Sequence, residues 1–202
     1  MNQSGRGFAA IVLGVSTGGV VALKRLLPAL PAGFGLPLLI VIHMTRDSDD
    51  GLALLLDSLS AIRVKEADEG ERIEPGVAYL APADYHLLVG RDRRLALSTD
   101  APVNFARPSI DVLFESAARV YGSQLIGIIL TGAAQDGAEG LLHIKQAGGY
   151  ALVQDPEDAE MDSMPRSALA RVQADRLVKL QSLPQLLVRL AQSGAASASE
   201  DL

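Results

Sequence analysis

Short unbroken apolar runs alternate along the chain with stretches whose apolar residues recur every three or four positions. The first pattern marks strands buried on both faces of a sheet, and the second marks helices that lie on it. Phe8 to Val15 (F-A-A-I-V-L-G-V) is the first run and ends in glycine-rich sequence. An amphipathic stretch from Val20 to Leu27 follows, then Leu36 to Ile42 as a second buried strand, so the chain opens with a strand, loop, helix and strand unit. Asp50 to Leu59 reads as a helix. Ile62 to Ala67, Gly76 to Leu80, His86 to Gly90 and Arg94 to Ser98 read as shorter strands with turn residues between them. The middle of the chain is therefore expected to form hairpins laid onto the sheet.

From Ser109 onward, Ile110, Leu113, Phe114, Ala117, Ala118 and Tyr121 follow helical spacing, with Pro108 and Gly122 as the boundary signals. Leu125 to Leu130 is a third buried strand. The turn Thr131 to Gly137, a helix to about Ala147 and a fourth strand at Tyr150 to Gln154 come next. Ser182 is placed to cap a last helix with the stripe Leu183, Leu186, Leu187 and Leu190. The terminal A-A-S-A-S-E-D-L has no stripe, and 195–202 reads as a frayed tail.

Composition narrows the class. A chain of 202 residues fits one domain, and 49% apolar with 21% charged residues is enough to build a core. The net charge of −6 argues against a nucleic-acid partner, since binders of the phosphate backbone cluster Lys and Arg. The densest basic run, Arg91-Asp-Arg-Arg94, reads as a solvated hairpin tip. With no cysteine, disulfides, thiolate metal sites and a thiol nucleophile are excluded, which leaves a hydroxyl. The first residues lack the pattern of a signal peptide, and the longest apolar run is far too short to cross a bilayer. A soluble cytoplasmic protein is expected.

Three polar residues stand just past the carboxyl ends of predicted buried strands, where an open parallel sheet gathers its active groups. They are Ser16, His43 and Asp136. Gly14-Val-Ser-Thr-Gly-Gly19 reads as a strand-to-helix turn, in which glycine permits tight backbone and the helix N-terminus offers N–H groups to negative charge. A serine there sits beside a ready oxyanion site, although the same turn suits a phosphate-binding loop or a plain turn. His43 could take the serine proton, or be a hydrogen-bonded rim residue. Asp136 could fix the imidazole tautomer, or simply cap the following helix. Together they supply each type that a triad needs, in the order Ser, His, Asp, which differs from the Ser, Asp, His order of the α/β-hydrolases. Of the other histidines, His86 could line the cleft, and His143 reads as a solvated helix residue. No metal-ligand spacing joins the three.

At these residues the sequence resembles the catalytic domain of the chemotaxis protein-glutamate methylesterases, the enzymes named CheB. The likeness runs from Ala9 to Leu190. It rests on G-V-S-T-G-G at 14–19, H-M at 43–44, V-K-E-A-D-E-G-E-R at 64–72, Y-L-A-P at 79–82, R-P-S-I-D-V-L-F at 107–114, I-L-T-G at 129–132, D-G-A at 136–138 and M-P-R at 164–166. The resemblance implies an α/β catalytic domain over 1–194, with a doubly wound, mostly parallel sheet, helices on both faces and a central antiparallel hairpin region. It implies a triad of Ser16, His43 and Asp136, with an oxyanion site and cleft edge at Thr17, Gly18 and Ala133. The implied reaction is hydrolysis of γ-glutamyl methyl esters on the cytoplasmic helices of methyl-accepting chemotaxis receptors, releasing methanol. Some relatives also deamidate receptor glutamines. No cofactor and no metal are implied, and the expected partner is the receptor, with no nucleic acid and no membrane insertion.

The chain departs from the family pattern at three places. The family reads T-G-M-G-x-D-G where this chain has Ala133 and Ala134 in place of the methionine and second glycine, so a wider cleft is expected there. Thr45 replaces the usual proline after H-M. The receiver domain and linker that precede the catalytic domain in typical members are not in this sequence, whose first buried strand starts within ten residues of Met1. The chain is either a free-standing enzyme or an excised catalytic domain, and control is expected from a separate regulatory protein, from the receptor or from sequence outside this chain. The competing reading is a non-catalytic receptor-binding or nucleotide-binding module. Against nucleotide binding, no Walker lysine follows the first loop and the full three-glycine fingerprint is missing. Asp47, Asp49 and Asp50 are not read as a phosphoacceptor cluster, because they lie inside the hydrolase motif pattern and a phosphoacceptor fold would need a domain of its own.

Overall fold

The computed structural model describes residues 7–43 and 51–193. In chain order the elements are β1 (Ala10–Val15), α1 (Gly19–Leu26), β2 (Leu38–Ile42), α2 (Gly51–Leu59), β3 (Arg63–Glu66), β4 (Val77–Leu80), β5 (His86–Val89) and β6 (Leu95–Ser98). They continue with α3 (Ile110–Tyr121), β7 (Leu125–Ile129), α4 (Ala138–Gln146), β8 (Tyr150–Gln154), α5 (Ser163–Arg171), β9 (Arg176–Val178) and α6 (Leu183–Ser193). Seven strands form one sheet of order β3-β4-β2-β1-β7-β8-β9, with every pairing parallel. β5 and β6 make a separate antiparallel pair.

β1 holds the centre because all six of its residues are buried. Ile11, Leu13 and Val15 face a layer made by α1, α2 and α6, while Ala10 and Val12 face α3, α4, α5 and the β5–β6 hairpin. The chain first winds outward from β1 through β2, β4 and β3, then resumes on the other side of β1 at β7. The loops after β1 and β7 therefore lead into opposite layers, and their parting opens a crevice at the carboxyl edge of the sheet. The outer strands β3 and β9 are short and carry charge, which blunts both edges.

Several local expectations change in three dimensions. β3 and β4 do not form a hairpin but pair in parallel, and β4 lies against β2. β4 is buried on both faces, and its partner β2 lies far upstream, where no local pattern could point. The second strand begins at Leu38 rather than Leu36, since Pro37 lacks the N–H a ladder needs. Ser182 does not cap the last helix; it closes a 3₁₀ turn, Leu180–Ser182, that runs straight into α6. The apolar pattern predicted neither α5 nor β9, because α5 carries Pro165 in its first turn and β9 is a three-residue edge strand. Met44, Thr45, the acids Asp47, Asp49 and Asp50, and the tail 195–202 lie outside the described residues. Among the described residues, no helix is long and apolar enough to cross a membrane.

Candidate active site

The strand register brings three chain ends to one level, with Val15 beside Ile42 and Gly14 beside Ile129. Ser16 and His43 follow directly, and a backbone bond ties each to the neighbouring strand end: His43 N donates to Val15 O and Ser16 N donates to Thr131 O, each at 3.0 Å. Ser16 thus leaves the central strand, flanked by the strands that lead to His43 and to Asp136. His43 Nε2 lies 2.9 Å from Asp136 Oδ2. With Nε2 donating to the carboxylate, Nδ1 is the ring nitrogen left to accept a proton.

Asp136 is 1% exposed and accepts from five directions. Besides His43, Oδ2 takes the Ile110 N–H at 2.6 Å, and Oδ1 takes Ser109 Oγ at 2.9 Å, Asn104 Nδ2 at 3.0 Å and the Asp111 N–H at 3.2 Å. Ile110 and Asp111 open α3, so the carboxylate sits on that helix's N-terminus, where the free N–H groups and the dipole favour an anion. Ser109 stands at the cap position but makes no cap bond to its own helix, because its hydroxyl serves Asp136. Burial would raise the Asp136 pKa, but the bonds from His43, Asn104 and Ile110 outweigh it and hold the carboxyl below its usual range.

The arrangement is reciprocal. Asp111, in the first turn of α3, accepts the Gly140 N–H of α4 at 2.6 Å, while Asp136 just before α4 serves α3. The two helices approach this closely because Gly140 has no side chain: a Cβ there would lie 2.6 Å from Phe114 Cβ and 3.0 Å from Asp111 Cα.

The serine turn is stitched from the other side. Gly18, with φ +80, supplies the left-handed residue that starts α1. Thr131 Oγ1 donates to Thr17 O at 2.9 Å and accepts the Met161 N–H at 2.9 Å, while Gly132 N donates to Met161 O at 3.0 Å. Gly132 is the point of closest packing. A Cβ there would stand 2.0 Å from Met164 Sδ and 2.9 Å from Ser16 Cβ.

Residues 11–187 match the sequence profile of the CheB methylesterases. The chain belongs to the CheB methylesterase family. A Leptospira interrogans protein named for the protein-glutamate methylesterase and protein-glutamine glutaminase activities is 49% identical over 186 residues, covering 92% of this chain and 96% of that one. The protein-glutamate methylesterase/protein-glutamine glutaminase 2 of Cupriavidus pinatubonensis is 45% identical over 188 residues, which are 91% of this chain and 52% of that longer protein. The crystal structure of the Thermotoga maritima CheB methylesterase catalytic domain superposes with a TM-score of 0.87 at 35% identity, covering 91% of this chain and 99% of that one. The doubly wound architecture is thus that of a CheB catalytic domain.

Other candidate residues are placed unevenly around this CheB-type crevice. Thr17 and Gly18 lie on the Ser16 turn, with Thr17 exposed. Ala133 is exposed on its turn, and the sulfur side chain beside Gly132 and Ser16 is Met164, from the M-P-R block rather than the T-G block. His86 does not line the cleft. It is 1% exposed, its Nδ1 accepts the Ser109 N–H at 3.1 Å, and its Nε2 donates to Ala101 O at 3.2 Å, so it buttresses the start of α3. His143 is half-buried in α4 rather than solvated, with Nδ1 lacking a partner. Nothing in the sequence pattern singles out Asn104, and Ser109, Asp111 and Met164 stand out only as members of family blocks. Among the described residues, no group of three or more His, Asp or Glu is placed to hold a metal ion.

Proposed function

We propose that this CheB-family chain hydrolyses γ-glutamyl methyl esters on the cytoplasmic helices of chemoreceptors, and that it also deamidates receptor glutamines. The His43–Asp136 pair, set beside Ser16 at the carboxyl edge of the sheet, is the observation that carries the reading. Ser16 Oγ attacks the ester carbonyl carbon while its proton passes to His43 Nδ1. Asp136, held ionised by its donors, stabilises the imidazolium that forms. The oxyanion collects at the start of α1, where the N–H groups of Thr17 and Gly18 follow the nucleophile. Collapse of the tetrahedral intermediate breaks the C–O bond, and the methoxy group leaves as methanol with the proton from His43. Water, deprotonated by His43, then cleaves the acyl-serine bond and restores Ser16, freeing the glutamate carboxylate. With a glutamine substrate, ammonia leaves instead. The protein works in the cytoplasm, where those receptor helices lie.

The test is methanol release from a methyl-esterified receptor fragment. Wild type releases methanol, whereas Ser16→Ala keeps its fold and loses on the order of 10⁴-fold or more in turnover. Equal release by a folded Ser16→Ala protein would overturn the assignment.

A further inference from the structure

A single side-chain amide joins the two carboxylates behind His43. Asn104 Nδ2 donates to Asp136 Oδ1 at 3.0 Å and to Asp111 Oδ2 at 2.6 Å, so both hydrogens of that nitrogen are engaged. Two carboxylates held this close repel one another. Burial, helped by the charge of Asp136, pushes the Asp111 carboxyl up to about 6, although the Gly140 N–H and the Asn104 amide act to lower it. His43 faces Asp136 from the end of β2, and the Glu139–Arg171 ion pair of α4 and α5 lines the same open depression as Asn104 and Asp111.

The backbone around Asn104 is shaped to deliver that amide. Val103 N donates to Ala106 O at 3.1 Å and Ala106 N to Val103 O at 2.9 Å, closing a two-residue turn. Both central residues are left-handed, Asn104 with φ +51 and Phe105 with φ +63. Asparagine adopts that conformation at less cost than phenylalanine does. Phe105 is also fully exposed, so the strained turn gains nothing from packing its ring. The contact the turn secures is the one made by Asn104.

We propose that Asn104 is a positioning residue for the esterase reaction: its shared amide holds Asp111 and Asp136 side by side, so that Asp136 stays turned toward His43. The inference rests on the functional reading above but has its own readouts. Without the amide, the carboxylates part or share a proton, and Asp136 becomes a weaker partner for the imidazolium. Asn104→Ala is expected to lower kcat about 10- to 100-fold with little change in KM, the scale of loss that follows a misplaced catalytic group. Adding Asp111→Asn is expected to restore most of the loss, because the new amide donates to Asp136 while its oxygen still accepts the Gly140 N–H. Asn104→Asp, which brings a third carboxylate, should be worse than Asn104→Ala.

The decisive measurements are kcat and KM for methanol release, together with the His43 ring Nε2–H resonance by NMR at about pH 6, on variants shown to be folded by circular dichroism. The resonance reports the bond to Asp136 and does not depend on turnover; it is expected to fade in Asn104→Ala and to return in the double variant. A folded Asn104→Ala protein that keeps both kcat and the resonance overturns the inference, as does a double variant that recovers neither. Activity in wild type that is lost in Ser16→Ala tests the esterase reading separately, so the two can fail independently.

Discussion

Phe105 occupies a backbone well that costs an L-residue roughly 1–2 kcal/mol, and its ring recovers nothing by burial. Glycine adopts the same well freely, although it loses more entropy on folding. Phe105→Gly is therefore expected to raise stability by about 1 kcal/mol, read as a higher urea midpoint. An unchanged or lower midpoint would show that the ring has a role in the free protein. Gly132 presents the opposite case. A methyl group there meets Met164 Sδ, part of a buried but unbranched side chain that can adapt by rotamer changes, and Ser16 Cβ, which is fixed to its backbone. Gly132→Ala should then cost only about 1–2 kcal/mol of stability but on the order of 10²-fold in turnover, because the serine itself is displaced. Comparing thermal melts with methanol release separates the two effects, and normal turnover in a folded variant would refute the close packing.

Between elements, α3 and α4 are tied by two carboxylates: Asp136, in the turn before α4, takes N–H groups at the start of α3, and Asp111 of α3 takes the Gly140 N–H in the first turn of α4. That tie needs the close approach at Gly140. Helix propensity alone favours Gly140→Ala by about 1 kcal/mol. The added methyl, however, meets Phe114 Cβ and Asp111 Cα, neither of which can rotate away. A net loss of about 1–2 kcal/mol is expected from the forced separation, together with reduced turnover because Asp111 and Asp136 lose their spacing. A higher melting temperature for Gly140→Ala would contradict this account. The helical period of α3 was plain in the sequence, and Ile110, Leu113, Phe114, Ala117, Ala118 and Tyr121 are all buried. That its first turn receives a foreign carboxylate was not, because Ser109 and Asp111 read equally well as an ordinary cap and first-turn acid.

For the whole molecule, the coupled acids set a pH dependence. Asp111 has a folded pKa of about 6, raised from 3.8, so the native state binds its proton more tightly than the unfolded chain does. Its contribution to stability is present at low pH and is lost as pH rises through about 6. Asp136 is lowered and acts in the opposite sense: its contribution is present above the ordinary carboxylate range and is lost as pH falls through its depressed value. Asp111→Asn removes the first effect, and the change it makes at Asp136 falls at lower pH, because that carboxyl is already held below its usual range. Its stability relative to wild type should rise between about pH 4.5 and pH 7, measured by urea unfolding at both ends; a flat or falling difference would rule out the raised carboxyl. The sequence by itself determined the alternation of buried strands and helices, and with it the strand ends that carry Ser16, His43 and Asp136, because burial on two faces leaves an unbroken apolar run that is visible locally. Only the tertiary structure decided that β3 and β4 extend the parallel sheet, that His86 lies beneath α3 rather than in the cleft, that Met164 is the side chain beside Gly132, and that Asn104 reaches Asp136. Each of these depends on which distant segments meet, and such pairing is settled by packing and hydrogen-bond satisfaction across the fold, which leave no periodic mark on the chain.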